Sequence, residues 1–238
     1  MAFAGNVAAP TAAMEDEILN TETLSQALVA SISRIPIQSE IPWILWENYL
    51  LTIYGVPSIV ESINFSVPDE LVAAAESALQ NKGLADCTEP ESCDTIGKFR
   101  TSPAPAVHFH IDSETTISIY KQSSTFWSIP SLTLERLVSS HDIILASDSR
   151  LPPPRLGRGP GAFHTGYFPV YIPTAHRLLE AYVRLVSGSD GGRYRGWGIA
   201  MITYIEEYVD GDGLLDEQMV EAAASVDVQD EHGYETSF

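Results

Sequence analysis

Basic residues are scarce in this chain of 238 residues, and their scarcity argues against two classes of partner. Only 13 Lys and Arg stand against 32 Asp and Glu, which gives a formal net charge of −19. Affinity for nucleic acid comes largely from Lys and Arg that neutralise phosphates, and anionic membrane surfaces attract basic segments in the same way. The charge therefore predicts that the chain binds neither nucleic acid nor a membrane.

Long apolar runs and a basic N-terminus are also missing. No stretch approaches the roughly 20 apolar residues that span a bilayer. The first residues lack the basic start of a secretory signal peptide, and they run into the acidic group Glu15-Asp16-Glu17. We therefore expect a cytoplasmic protein.

Cysteine is rare, with only Cys87 and Cys93 in a polar segment. They could form a local disulfide, although a cytosolic chain usually keeps its thiols reduced. The short C-x2-C spacing and a second pair of ligands, which most structural zinc sites have, are not apparent. The sequence thus predicts no zinc site.

Apolar residues are plentiful, at 45% of the chain, so a sizeable core can form. No long linker divides the sequence, and we expect a single domain over residues 21–225. Residues 1–20 are predicted to be a flexible segment, and the acidic tail 226–238 is predicted to be disordered.

Hydrophobic periodicity predicts an alternation of helices and strands. Strict alternation indicates strands at 62–67, 107–111 and 115–120, the last two as a hairpin, and a buried strand is expected at 142–146. The run 42–54 is apolar nearly all round, which favours a buried helix. Further helices are expected at 21–32, 68–82, 132–138, 174–186, 197–209 and 213–224.

Several phrases in these elements resemble a large group of fungal nucleotidyltransferase-like proteins with a polymerase-beta-like fold. The phrases are Gly55-Val56-Pro57, Ser66-Val67-Pro68-Asp69-Glu70, His108-Phe109-His110 and Arg150-Leu151-Pro152-Pro153. The resemblance covers roughly residues 40–210. It implies an α/β (α+β) fold with a mixed central sheet, flanking helices and C-terminal helices packed against the sheet.

The resemblance also implies where catalytic metal ligands should lie. Active members of the fold carry two carboxylates at positions i and i+2 of the first strand, which point to the same side and hold Mg²⁺ with a third acid from a neighbouring strand. The matching positions here are Ser62 and Asn64. Neither supplies negative charge, so we predict no metal, no cofactor and no nucleotide transfer.

Polar positions on the alternating strands suggest a different site. We expect Asn64, His108 and His110 as catalytic residues. The pair His108 and His110 could bind a transition metal, but a third ligand is not evident, and a role in lining a cleft is favoured. The predicted substrate-binding residues are Ser62, Tyr120, Phe126, Trp127 and Tyr54.

A loop with three arginines, Arg150, Arg155 and Arg158, could bind an anion through its side chains and glycine backbone. It lacks the Lys-Ser/Thr of a phosphate-binding P-loop. In an acidic chain these arginines more often pair with nearby carboxylates, and we favour that structural role.

Three functions remain open. We favour an enzyme that acts on an apolar small molecule without a metal or cofactor. The reaction expected is cyclisation of the Diels–Alder type in fungal secondary metabolism, because cyclisation mainly needs a substrate held in an ordered conformation. The alternatives are a non-catalytic nucleotide- or protein-binding module, and an active Mg²⁺-dependent nucleotidyltransferase that uses acids such as Asp112 or Glu61. An aromatic cleft favours the first, a filled cleft the second, and three clustered carboxylates the third.

Overall fold

The computed structural model describes residues 24–88, 93, 102–112, 115–188 and 191–215. Within these ranges the helices are α1 (Gln26–Gln38), α2 (Glu47–Ile53), α3 (Val72–Gln80), α4 (Leu134–Ser139), α5 (Ala175–Ser187) and α6 (Gly191–Tyr204). The strands are β1 (Ile44–Trp46), β2 (Ser62–Val67), β3 (Val107–His110), β4 (Thr116–Lys121), β5 (Ile143–Leu145) and β6 (Tyr171–Pro173). The predicted segments 1–20 and 226–238, and the predicted helix 213–224 after residue 215, lie outside the described residues.

The central sheet has four strands in the order β1-β2-β4-β3. Strand β2 is antiparallel to β1 and parallel to β4, and β3 and β4 form an antiparallel hairpin. The sheet is therefore mixed, which confirms the predicted α/β class and the three strands predicted for it. Strands β5 and β6 form a separate antiparallel pair.

The prediction of one helix over 42–54 is wrong in its first half. Residues Ile44–Trp46 form the edge strand β1, and the helix begins only at Glu47. A run of apolar residues without alternation cannot distinguish a strand buried on both faces from a buried helix. The end of the helix was predicted correctly, since Gly55 follows it with a φ of 85°, a conformation that glycine adopts at low cost.

The remaining predicted elements are present with shifted ends. Helix α1 begins later than predicted because Ser25 caps it, accepting a hydrogen bond from the Leu28 amide at 3.2 Å. The predicted helix 68–82 starts as a 3-10 turn at Asp69–Leu71 before α3. The helix predicted at 197–209 is α6 followed by a wider helical turn at Ile205–Asp210, while Gly213, the first residue of the helix predicted at 213–224, lies in a turn.

The two faces of the central sheet are covered by different helices. On one face Trp43 stacks on Phe65 with ring centroids 3.7 Å apart, and its indole N–H donates to Ser33 of α1. On the other face Trp46 contacts Tyr182 of α5 and Trp197 of α6. None of the helices in the described ranges is long and apolar enough to cross a membrane.

Candidate functional site on the polar face of the sheet

The strand register places the predicted polar residues on one face of the sheet. Residues that are paired across strands point to the same side, and so do alternate residues along one strand. The register therefore confirms that the predicted residues Ser62, Asn64, His108, His110 and Tyr120 share a face, with Ser118 among them. The paired rows are Ser62–Thr116–His110, Asn64–Ser118–His108 and Ser66–Tyr120.

Glu47 lies at the centre of this face, although it is not among the residues predicted for the site. The carboxylate is buried, and its Oε2 accepts hydrogen bonds from Asn64 Nδ2 at 2.5 Å and from the Tyr120 hydroxyl at 3.1 Å. Asn64 Nδ2 also lies 2.9 Å from the hydroxyl of Ser62. Two of the predicted site residues thus hold one buried acid in a defined position.

The backbone of Glu47 explains how the acid reaches this position. Its φ is 63°, in the left-handed region that costs a non-glycine residue about 1–2 kcal/mol. Glu47 is the first residue of α2 and directly follows the strand residue Trp46, which pairs with Asn64. The only sequence signal was an acid inside the apolar run 43–51.

Four buried polar atoms of the same region have no hydrogen-bond partner among the described residues. They are Trp46 Nε1, Asn64 Oδ1, Ser118 Oγ and the hydroxyl oxygen of Tyr182. The pKa of Tyr182 is raised well above its ordinary value by burial and by the negative charge of Glu47. The Tyr182 phenol is therefore a neutral hydrogen-bond donor close to the carboxylate.

Aromatic rings cover the polar face. Trp46 contacts Phe126 edge-on at 4.7 Å between ring centroids and lies 5.0 Å from Tyr182. Trp197 stands 5.4 Å from the Tyr182 ring. Phe126, predicted to bind the substrate, is fully buried and lies in this aromatic layer.

Two other predicted substrate-binding residues, Trp127 and Tyr54, contact other parts of the fold. Trp127 is half exposed, and the guanidinium of Arg184 lies 4.0 Å from its ring. Tyr54 is buried, and its hydroxyl donates to the Pro173 carbonyl at 2.6 Å, while burial raises its pKa. Both side chains thus make defined contacts within the fold.

The histidines of the predicted site are next to the two cysteines. Cys93 Sγ lies 3.2 Å from His108 Nε2 and 3.5 Å from His110 Nε2. Cys87 belongs to the same group, in which one ligand atom from each of the four residues lies within 4.8 Å of every other. The prediction that neither the cysteines nor the histidines have further ligands nearby is therefore wrong.

The arginine loop has the structural role that was favoured. Arg150 forms an ion pair with Asp148 at 2.8 Å, and both Arg155 and Arg158 pair with Asp212. The backbone N–H of Gly161 donates to the Thr52 carbonyl at 3.1 Å. Side chains and backbone of the loop are thus engaged with the protein.

Carboxylates do not cluster on this sheet in the way that two-metal catalysis needs. Asp112 accepts a hydrogen bond from the Thr115 amide in the turn between β3 and β4, and Glu61 is exposed before β2. Across the residues that the structure describes, no three acids come close enough to share a metal ion.

Two solved structures of the antibiotic-resistance factor ANT(2'')-Ia are similar to the chain in outline. A solution structure is 12% identical, with 87% of this chain and 95% of that chain covered and a TM-score of 0.44. A crystal structure in complex with adenylyl-2''-tobramycin is 12% identical, with 84% and 96% covered and a TM-score of 0.43. Neither a family model nor a curated protein matches the chain. A likeness this distant carries no inference about activity.

Proposed function

We propose that the chain is a small-molecule enzyme on a degenerate nucleotidyltransferase fold, with Glu47 as its acid–base residue and cyclisation as its reaction. The observation that carries the proposal is the buried carboxylate, held by Asn64 and Tyr120 on a strained backbone. Strained positions persist where the surroundings over-determine them, and they concentrate at functional sites.

The buried polar atoms without partners support a ligand at this place. Leaving such an atom unsatisfied costs about 1–3 kcal/mol, and native proteins contain few of them. Here Asn64 Oδ1, Ser118 Oγ and the Tyr182 hydroxyl all belong to the face or layer around Glu47. Polar groups of a bound molecule would complete their hydrogen bonds.

The surrounding rings favour a molecule with an apolar skeleton. Trp46, Phe126, Tyr182 and Trp197 offer aromatic surface, as most small-molecule sites do. Restricting such a skeleton to one folded conformation lowers the barrier to ring closure. Phenol and indole donors stabilise the charge that develops on an oxygen of the substrate.

Glu47 both removes and returns the proton that the reaction moves. The carboxylate removes a proton from one position of the substrate, the new carbon–carbon or carbon–oxygen bond forms within the molecule, and Glu47 returns the proton to another position. Substrate and product are therefore isomers, and the step requires no metal, oxidant or second substrate.

A non-catalytic binding module is the second candidate, and one observation favours it. Asn64, Ser118 and Tyr120 are each about 1% exposed, so the centre of the face is covered in the conformation described. A module that binds a ligand without converting it would use the same polar atoms. Nucleotidyl transfer has less support, because the described acids do not cluster.

Mass spectrometry distinguishes these functions. The purified protein is incubated with a small-molecule extract of its source cells, without added Mg²⁺, beside the Glu47→Gln variant, which keeps the shape but loses the base. The proposal expects a compound to be converted to an isomer of equal mass by the unaltered protein, and conversion to be slowed about 10²-fold or more in the variant. Binding without conversion would support the module, and equal conversion by both proteins would refute the role of Glu47.

A further inference from the structure

We propose that Cys87, Cys93, His108 and His110 form a structural zinc site that holds the two cysteines against strand β3. This inference stands apart from the proposed reaction, because it uses neither Glu47 nor the aromatic layer. It assigns His108 and His110 to a metal and not to acid–base chemistry.

The distances between the four side chains match those of a tetrahedral zinc site. With Zn–S near 2.3 Å and Zn–N near 2.05 Å, a tetrahedron separates sulfur from nitrogen by about 3.6 Å and two sulfurs by about 3.8 Å. Cys93 Sγ lies 3.2 Å and 3.5 Å from the two imidazole Nε2 atoms. All four ligand atoms lie within 4.8 Å of one another, so small rotations of the side chains suffice to bind the ion.

The four ligands favour zinc over Mg²⁺, the ion that nucleotidyl transfer uses. Thiolates and imidazoles prefer zinc and related transition metals, whereas Mg²⁺ prefers oxygen ligands. Two thiolates also cancel the charge of Zn²⁺, which suits a site in which Cys93 and His108 are buried. Because the four side chains occupy every position of a tetrahedron, no position remains for water or substrate, and the site is structural.

The position of the site in the fold indicates what a bound ion would stabilise. Strand β3 lies at the edge of the sheet, and Asp86 forms a single bridge to Phe109 of that strand. A zinc ion that joins Cys87 and Cys93 to His108 and His110 would fix the two cysteines along the edge. Covering an edge strand protects it from pairing with other chains.

The first test is made on the unaltered full chain. It is purified from zinc-supplemented cells without chelator and analysed by elemental mass spectrometry and by native mass spectrometry after thiol alkylation. The proposal expects one zinc ion per chain and two thiols that alkylate only after the zinc is removed. Replacing zinc with Co²⁺ should give the intense visible bands of a tetrahedral site and the charge-transfer bands of thiolate ligands.

Variants assign the metal to these four residues. His110→Ala changes an exposed side chain of the edge strand, and it should weaken zinc binding in competition with a chelator by more than about 100-fold, since losing even an outer-shell partner costs 10–100-fold. His141→Ala, at another exposed histidine, is the matched control and should leave zinc binding unchanged. Cys93→Ser should remove the thiolate bands of the cobalt protein.

Three results would overturn the inference. They are a chain that contains no zinc and gives no tetrahedral cobalt spectrum, a Cys87–Cys93 disulfide in the protein as isolated, and zinc that binds His110→Ala as tightly as the unaltered chain. If Cys93→Ser fails to fold, the cobalt spectrum of the unaltered chain and the two histidine variants still decide the question.

Discussion

The hydrogen bond from Tyr120 to Glu47 gives a prediction about stability that needs no substrate. Tyr120→Phe removes the hydroxyl that donates to the buried carboxylate at 3.1 Å. Glu47→Gln keeps an acceptor at the same place but removes its charge. Combining the two changes measures how much of the interaction depends on that charge.

The expected magnitude follows from the charge on the acceptor. A hydrogen bond to a charged group contributes about 1.5–3 kcal/mol to stability, and one between neutral groups about 0.5–1.5 kcal/mol. Tyr120→Phe should therefore cost about 1–1.5 kcal/mol more in the unaltered chain than in the Glu47→Gln background. The Glu47→Gln change alone should be close to neutral, because the lost hydrogen-bond strength is offset by the removal of a buried charge.

Urea unfolding of the four proteins measures this coupling. Tyr204→Phe, which removes an exposed hydroxyl, is the control and should have the same small effect in both backgrounds. Independent sites add to within about 0.3–0.5 kcal/mol. A Tyr120→Phe cost that is the same in both backgrounds within that error would refute the claim that Tyr120 stabilises a charged Glu47.

The remaining predictions concern pH, the arginine loop and magnesium. Burial raises the pKa values of three tyrosines above the ordinary value of 10, so their hydroxyl protons are lost more readily from the unfolded chain than from the folded one. The free energy of unfolding should therefore fall above pH 10 by about 1.4 kcal/mol per pH unit for each tyrosine. Absorbance at 295 nm should show these tyrosines ionising only as the chain unfolds. The three are Tyr49, Tyr54 and Tyr182. Gly161→Ala should destabilise the chain by about 1–3 kcal/mol more than Gly157→Ala. Both glycines have a positive φ, but only at Gly161 would an added Cβ lie 2.2 Å from a backbone oxygen. Equal unfolding midpoints for the two variants would contradict this. Calorimetry should detect no Mg²⁺ site that depends on Ser62 or Asn64, because neither side chain carries the negative charge that holds Mg²⁺. A Mg²⁺ site that is abolished by changing either residue would contradict this.

Alternation of residue types made the sheet predictable. Ser62–Val67 and Val107–His110 each have one polar and one apolar side, because successive residues of a strand point to opposite faces of the sheet. The same alternation predicted that Asn64 and His108 share a face, which the register confirms. Strand β1 could not be predicted in this way, because it is buried on both sides and its residues are all apolar.

The centre of the candidate site depends on a contact that no local pattern encodes. Glu47 is brought to Asn64 and Tyr120 by the pairing of β1 with β2, whereas the apolar run 42–54 predicts a helix over the residues of β1. That the Cys and His pairs lie together was missed for a related reason. Their C-x5-C and H-x-H spacings differ from the usual zinc motifs, and only the folded chain brings the two pairs together.

The most direct measurement for the central claim is a crystal structure of the protein grown with the compound that it converts or binds. The account predicts that the compound lies against the aromatic layer, with polar atoms within hydrogen-bond distance of Asn64 Oδ1 or Ser118 Oγ and a reacting position next to Glu47. A compound bound elsewhere, with the Glu47 cluster closed and in the contacts described above, would contradict it.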